Sequence, residues 1–141
     1  MKISTDTRNV LKNFSTINSG IRVKSGNKLE TISNMKNILA VATVDESFPQ
    51  DFSIYNLPEF LGATSLMSDP DFQFGDASLT VADDNSSLAY FYASEGMVVA
   101  PDKMITMPEA EINIEISSAL LSELQKAASV LGVNDLVLSS D

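Results

Sequence analysis

Residues 52–67 read FSIYNLPEFLGATSLM, and the division of this stretch decides the fold. Phe52–Tyr55 has the character of a strand. Asn56-Leu57-Pro58-Glu59 then starts a helix: Asn56 caps it, the proline falls in the first turn, and Glu59 stands three residues past the cap to close a capping box. Leu57, Phe60, Leu61, Thr64 and Met67 recur at helical spacing and form its buried stripe. Strands are expected next at Phe72–Phe74, Ala77–Val81 and Leu88–Ala93. The unit is therefore a strand, a helix and three strands.

The same order appears on either side. Upstream, Ile3-Ser4 reads as the end of a short strand, with Ser4 or Thr5 able to cap a helix running from Thr5 to about Asn18. Val10, Leu11, Phe14 and Ile17 give that helix its apolar spacing. Strands follow at Gly20–Ser25 and Lys28–Ser33, joined by the turn signal Ser25-Gly26-Asn27, and a third at Ile38–Val44; the polar stretch Asp45–Asp51 reads as a loop. Downstream, a third copy starts with a strand at Glu111–Ile116 and a helix from Ser118 to Leu131, whose stripe is Leu120, Leu121, Leu124, Ala128 and Leu131. One further strand, Asp135–Ser139, follows. Repetition of one supersecondary unit implies a pseudo-symmetric α+β architecture, two units to a domain, with the helices on one face of antiparallel sheets. The third unit is short of strands and buries too little to stand alone. It implies either a piece of a longer subunit or a segment that completes itself against another chain.

The chemistry open to the chain is narrow. It has no histidine, cysteine or tryptophan, which excludes nucleophile–base pairs built on imidazole or thiol and the corresponding metal sites. The absence of cysteine fits a reducing cytoplasm, the first residues lack the apolar segment of a signal peptide, and no apolar run is long enough to span a membrane. Grouped carboxylates occur at Asp45-Glu46, Asp69/Asp71 and Asp83-Asp84, each among turn residues, and none has the spacing of a calcium loop. Gly20 and Gly26 are isolated turn glycines with no phosphate-loop pattern. No enzyme activity and no cofactor are expected.

Nineteen acids against nine bases give a net charge of −10, which repels DNA, yet six of the nine bases lie in the first 28 residues. Such a chain can meet a phosphate backbone, but weakly. At 100° per residue, Val10, Phe14 and Ile17 centre the buried face of the first helix and put Arg8 and Lys12 almost opposite, beside Thr5, Ser15 and Ser19. On the third helix Lys126 falls opposite the stripe, flanked by Ser122 and Ser129; the second shows Pro58, Gly62 and Ser65 and no cation. Solvent faces carry such cations routinely, so the pattern alone does not assign them to DNA.

Three strings carry a resemblance: LKNFSTINSGI at 11–21, IYNLPEFLG at 54–62 and VVAPDK at 98–103. In this order and at these distances they resemble the DNA polymerase sliding clamps, or processivity factors, of T-even-type tailed phages. The resemblance runs along nearly the whole chain, more by pattern than by residue from Lys28 to Gln50. It implies a DNA-clamp fold of β-α-β-β-β units, with three subunits closing into a ring around duplex DNA and helices lining the hole. Residues 1–95 would then be a first clamp domain, 96–110 an interdomain connector and 111–141 the start of a second domain. Arg8, Lys12 and Lys126 would face the DNA without sequence preference. Polymerase, clamp loader and a late-transcription factor would dock by short peptides in an apolar groove near the connector, where Val98, Val99, Met104, Ile105 and Met107 are the candidates. Flexible methionines suit such a surface. The setting implied is the cytoplasm of an infected bacterial host. Two other readings remain open at this point. One is a non-encircling phage scaffold or protein-interaction module of the same fold. The other, the weakest, is a carboxylate–metal enzyme with Asp83, Asp84 and a third acid converging in a cleft.

Overall fold

The helices begin where side chains replace missing backbone partners. In the computed structural model, which describes residues 1–103 and 105–139, Ser4 Oγ accepts from Thr7 N at 3.2 Å and opens α1 (Thr5–Ile17). Asn56 Oδ1 accepts from Glu59 N at 3.2 Å and opens α2 (Leu57–Ser65), and Ser117 Oγ does the same for Leu120 N in α3 (Ser118–Leu131). Glu59 does close back on the cap, but onto the Asn56 side-chain amide at 3.1 Å. The strands are β1 (Ile21–Val23), β2 (Gly26–Ile32), β3 (Leu39–Phe48), β4 (Phe52–Ile54), β5 (Asp71–Phe74), β6 (Ser78–Ala82) and β7 (Ser87–Phe91). The chain divides into two compact units, Met1–Met104 and Ile105–Asp141. Among the described residues no helix is long and apolar enough to cross a membrane.

All pairing in the first unit is antiparallel. β2 pairs with β3, and β5, β6 and β7 form a three-stranded sheet in that order. The informative pairs link the two repeats. β4, which leads into α2, pairs with β1, which follows α1, in the register Ile21↔Ile54 and Val23↔Phe52. Reciprocally, Met1, which leads into α1, exchanges two backbone hydrogen bonds with Phe72 of β5, which follows α2, both at 2.8 Å. Each repeat therefore lends its leading segment to the first strand after the helix of the other. This exchange makes one domain of two repeats.

α1 packs beside α2 and over β2 and β3. Its buried side chains are Thr7, Leu11 and Phe14, and α2 contributes Leu57, Phe60 and Thr64. They close over Ile21, Val23, Leu29, Val44, Phe48, Ile54, Leu79 and Val81. Aromatic rings join the sheets: Phe52 lies 5.3 Å from Phe74 and 5.5 Å from Tyr92, and Phe60 lies 5.2 Å from Tyr90, centroid to centroid. Each fully buried side chain of this size stabilises by about 1.5–3 kcal/mol, so the core rests on many comparable contacts.

Several expectations are corrected. Ser25-Gly26-Asn27 does not close a hairpin between β1 and β2. Gly26 instead enters the ladder opposite Phe48, and Ser25 N donates to Asp51 Oδ1 at 2.7 Å, so the chain turns a corner between two sheets. The supposed loop at Asp45 is strand as far as Phe48. The strand at Ile3-Ser4 reduces to the Met1–Phe72 pair. The buried face of α1 centres on Thr7, Leu11 and Phe14, with Val10 and Ile17 only half-buried at its flank. Neither Glu111–Ile116 nor Asp135–Ser139 is a strand among the described residues; an extended segment without a neighbour has no ladder to form.

Candidate functional site

The first surface of interest is the outer face of the two packed helices. Lys12 is exposed near the middle of α1, with Asn13 and Thr16 exposed beside it and Ser15 Oγ turned back to donate to the Lys12 carbonyl at 2.7 Å. α2 adds exposed Pro58, Gly62 and Ser65. The result is a shallow face of small polar groups with a single unpaired cation on it among the described residues. Arg8 sits differently from its sequence placement. The rotated core puts it on the flank of α1, half-buried, with an Nε that is shielded from water and lacks a hydrogen-bond partner among the described residues. Lys126 is exposed on α3, in the second unit.

Glu46 fixes the start of α1. Its carboxylate accepts from the Ser4 backbone N–H and from Thr7 Oγ1, placing a negative charge at the helix N-terminus, where the aligned peptide dipoles favour it. Partial burial pushes its pKa up, but the bonds from Thr7 and Ser4 outweigh that and hold the group below the ordinary carboxylate value. In the sequence Glu46 stood out only as one of a pair of turn carboxylates with Asp45, and nothing in the residue pattern linked it to the start of α1.

The second surface is a cleft of about 770 Å3 in the first unit, lined among others by Arg22, Lys24, Phe52, Tyr92, Val98 and Val99. Its outer wall is held by two side chains that sequence reasoning did not single out. Asn18, buried at the end of α1, donates to Ile32 O at 2.9 Å and to Val99 O at 2.8 Å, and accepts from Gly20 N at 3.0 Å. Arg22 Nη2 donates to Pro101 O at 2.8 Å and lies 3.6 Å from Asp102 Oδ1. Gly20 permits the close approach, since a Cβ there would stand 3.0 Å from Val98 Cγ1 and 3.2 Å from the carbonyl oxygens of Ile54 and Tyr55. Residues 98–102 are thus fastened along β1 and the end of α1.

Of the five groove candidates, Val98 and Val99 come together in this cleft. Ile105 and Met107 belong to the second unit, with both side chains exposed, and Met104 lies outside the described residues. The lining of the cleft is mixed: Phe52, Tyr92, Val98 and Val99 stand among Arg22, Lys24 and Lys36 and among Asp51, Glu95 and Asp102. It suits an apolar side chain flanked by polar groups better than a free anion.

The grouped acids do not converge. Asp83 accepts from the backbone N–H groups of Ser68, Asn85 and Ser86 at 2.7–2.9 Å, bonds that hold its pKa below the ordinary value and close the loop before β7. Among the described residues no three acids are placed to hold a metal ion.

Comparison with known proteins adds to this geometry. The family model for DNA polymerase processivity factor matches residues 4–100, which include α1, α2 and most of the lining of the cleft. The chain is similar to the sliding clamp of Enterobacteria phage T4, 36% identical over 141 residues covering 99% of this chain and 62% of the relative. It is similar also to that of Escherichia phage RB69, at 31% over 143 residues with 99% and 62% covered. A third is that of Vibrio phage KVP40, at 28% over 145 residues with 100% and 66% covered. The chain spans 62–66% of the length of these curated relatives.

Proposed function

This chain belongs to the DNA polymerase processivity factor family, and from that membership we propose that it serves as a sliding clamp, holding a phage replicative polymerase on duplex DNA by encircling it. The observation that carries the reading is the helical face of the first unit: two helices side by side over the sheets, presenting small polar groups around Lys12. A clamp has to stay on DNA and still slide. Each phosphate neutralised by a cation contributes a slope of about −0.9 to the dependence of log K on log salt. With Lys12 and Lys126 the exposed cations assigned to DNA, and half-buried Arg8 a weaker third, electrostatic grip is slight and carries no base readout. The net charge of −10 discourages binding of DNA anywhere else. Retention then falls to topology, a ring that does not open sideways.

In this reading residues 1–95 are the first clamp domain, 96–110 the connector and 111–141 the opening of a second, and three subunits complete the ring. The cleft beside Val98 and Val99 receives an apolar anchor from short peptides of the polymerase, the clamp loader and a late-transcription factor, in the host cytoplasm. No chemical step and no cofactor is assigned to the chain. The reading is tested by primer extension on a long single-stranded circle with polymerase and loader at limiting enzyme. Addition of the protein should lengthen the products of one binding event severalfold, and Val98→Asp should abolish the gain. Products of unchanged length would remove the processivity reading.

A further inference from the structure

The sheet face turned away from the helices carries cations of its own. In β1, Arg22 stands between buried Ile21 and Val23, and in β2, Lys28 and Glu30 alternate with buried Leu29 and Thr31. Side chains on a strand point alternately to opposite faces. The buried set faces the core beneath α1 and α2, so Arg22, Lys28 and Glu30 lie on the outward side. Lys24, exposed just past β1, joins them, and with Ser25 and Pro101 these residues line a small hollow of about 270 Å3. Arg22 and Lys24 also line the larger cleft of Val98 and Val99, so the two concavities meet at these side chains.

The corner beneath the hollow is fixed. Ser25 N donates to Asp51 Oδ1 at 2.7 Å, and Gly26, at a φ of 109°, enters the ladder opposite Phe48. Arg22 is held to Pro101 O at 2.8 Å with Asp102 Oδ1 at 3.6 Å, and Lys28 Nζ lies 2.8 Å from Glu30 Oε1. Lys24 has no ion-pair partner among the described residues. Arg22, Lys24 and Lys28 against Glu30 leave the lining positive by two; with Asp102 counted against Arg22, the charge of Lys24 still remains. This stands in a chain whose net charge is −10.

Given the peptide-docking reading of the cleft, on which this step rests, we infer that Arg22, Lys24 and Lys28 form a subsite for a carboxylate side chain of the docked peptide. A partner segment lays an apolar side chain among Phe52, Tyr92, Val98 and Val99, and within a few residues of it places an Asp or Glu beside Lys24. Lys24 supplies the unpaired charge; Arg22 and Lys28 keep their present partners and add to the field. A nucleic acid suits the place poorly. Its run of phosphates would also lie against Asp51, Glu95 and Asp102 in the adjoining cleft, whereas one carboxylate meets the cations alone. Because the chain as a whole repels acidic segments, these cations decide the register in which such a segment docks.

The test uses the 141-residue protein, labelled with nitrogen-15, and synthetic peptides with blocked termini, so that no terminal charge competes. Each peptide carries a single Phe, with one Asp placed in turn at each position within about four residues of it, a span of extended chain that covers both concavities; each has an Asn counterpart. At least one Asp peptide should shift the backbone amides of Val98 and Val99 together with those of Ser25 and Lys28. It should bind about two- to fivefold more tightly than its Asn counterpart, the range for a partly exposed ion pair, and raised salt should shrink the difference. Lys24→Gln, which breaks no ion pair among the described residues, should remove the preference for Asp and leave the Asn peptide unaffected. Lys24→Glu should reverse it, favouring a peptide with Lys in place of Asp. Binding at Val98 and Val99 with no difference between Asp and Asn would overturn the subsite and leave the docking reading of the cleft standing. A preference for Asp that survives Lys24→Gln would overturn it too, as would a short DNA duplex that moves the Ser25 and Lys28 amides more than those around Lys12. Peptides that shift neither set of amides would remove the docking reading and the subsite together.

Discussion

Replacing Asn18 with alanine removes three hydrogen bonds at a single point: to Ile32 O, to Val99 O and from Gly20 N. Asn18 is 6% exposed, and Ile32 and Gly20 are buried beside it, so two of the abandoned groups have little access to water. An unsatisfied buried group costs about 1–3 kcal/mol, and Val99 O at the cleft edge can be rehydrated at least in part. The expected loss is about 2–4 kcal/mol. For a unit of about 100 residues this lowers the melting temperature by roughly 10–25 °C. Urea unfolding followed by far-ultraviolet circular dichroism measures it directly, since the change should appear in the midpoint with the m-value kept. Hydrogen exchange supplies the link to function, because residues 98–102 should open faster than the core strands. Asn18→Asp keeps the acceptor for Gly20 but sets a carboxylate against two carbonyl oxygens, and should lose stability at neutral pH and recover part of it on protonation. A loss below about 0.5 kcal/mol for Asn18→Ala, the ordinary size of a surface substitution, would refute the argument that this side chain holds the cleft wall.

Three further outcomes are expected. Glu46 has a folded pKa below its ordinary 4.5, so its contribution is fully present above that value and is lost as pH falls through the folded value; Glu46→Gln should be less stable than wild type at pH 7 and lose less on acidification to pH 3. Gly20→Ala should destabilise by about 1–2 kcal/mol through overpacking against Val98 and two carbonyls, and Val98→Ala should partly offset it in a double-mutant cycle. Lys12→Ala should leave stability within about 0.5 kcal/mol and reduce the salt slope of DNA binding by about 0.9 per bound lysine, with no change in sequence preference.

What the sequence made legible was the part written in local side-chain chemistry. Ser4, Asn56 and Ser117 are cap residues in the ordinary positions, so all three helices start where expected, and β5 to β7 alternate clearly between Pro70 and Tyr92. Strand partners were not legible. β1 leaves its neighbour β2 for β4 because pairing across repeats closes the core, a gain that no window of a few residues contains. β3 was cut short because Glu46 occupies an inward position between Val44 and Phe48, and a polar residue there reads as loop until its partner at the start of α1 is known. The face of α1 was misjudged because the polar Thr7, bonded to that same Glu46, is buried with Leu11 and Phe14, while Arg8 beside it is half-buried. For the cleft, Val98 and Val99 were named from a resemblance to a family, and both line it. Asn18 and Arg22, which hold the segment in place, act across about eighty residues of chain and left no periodic signal.

Retention by encirclement, as opposed to retention by contact, shows itself in whether DNA ends let the protein go. The protein is placed on nicked circular duplex by its loader, freed from unbound protein by gel filtration, and followed before and after a single restriction cut. A ring around the duplex should stay long on the circle and leave rapidly by sliding off the ends once the DNA is linear. Equal loss from the two forms, or retention that persists on linear DNA with open ends, would contradict it and leave an interaction module that shares the fold without closing around DNA.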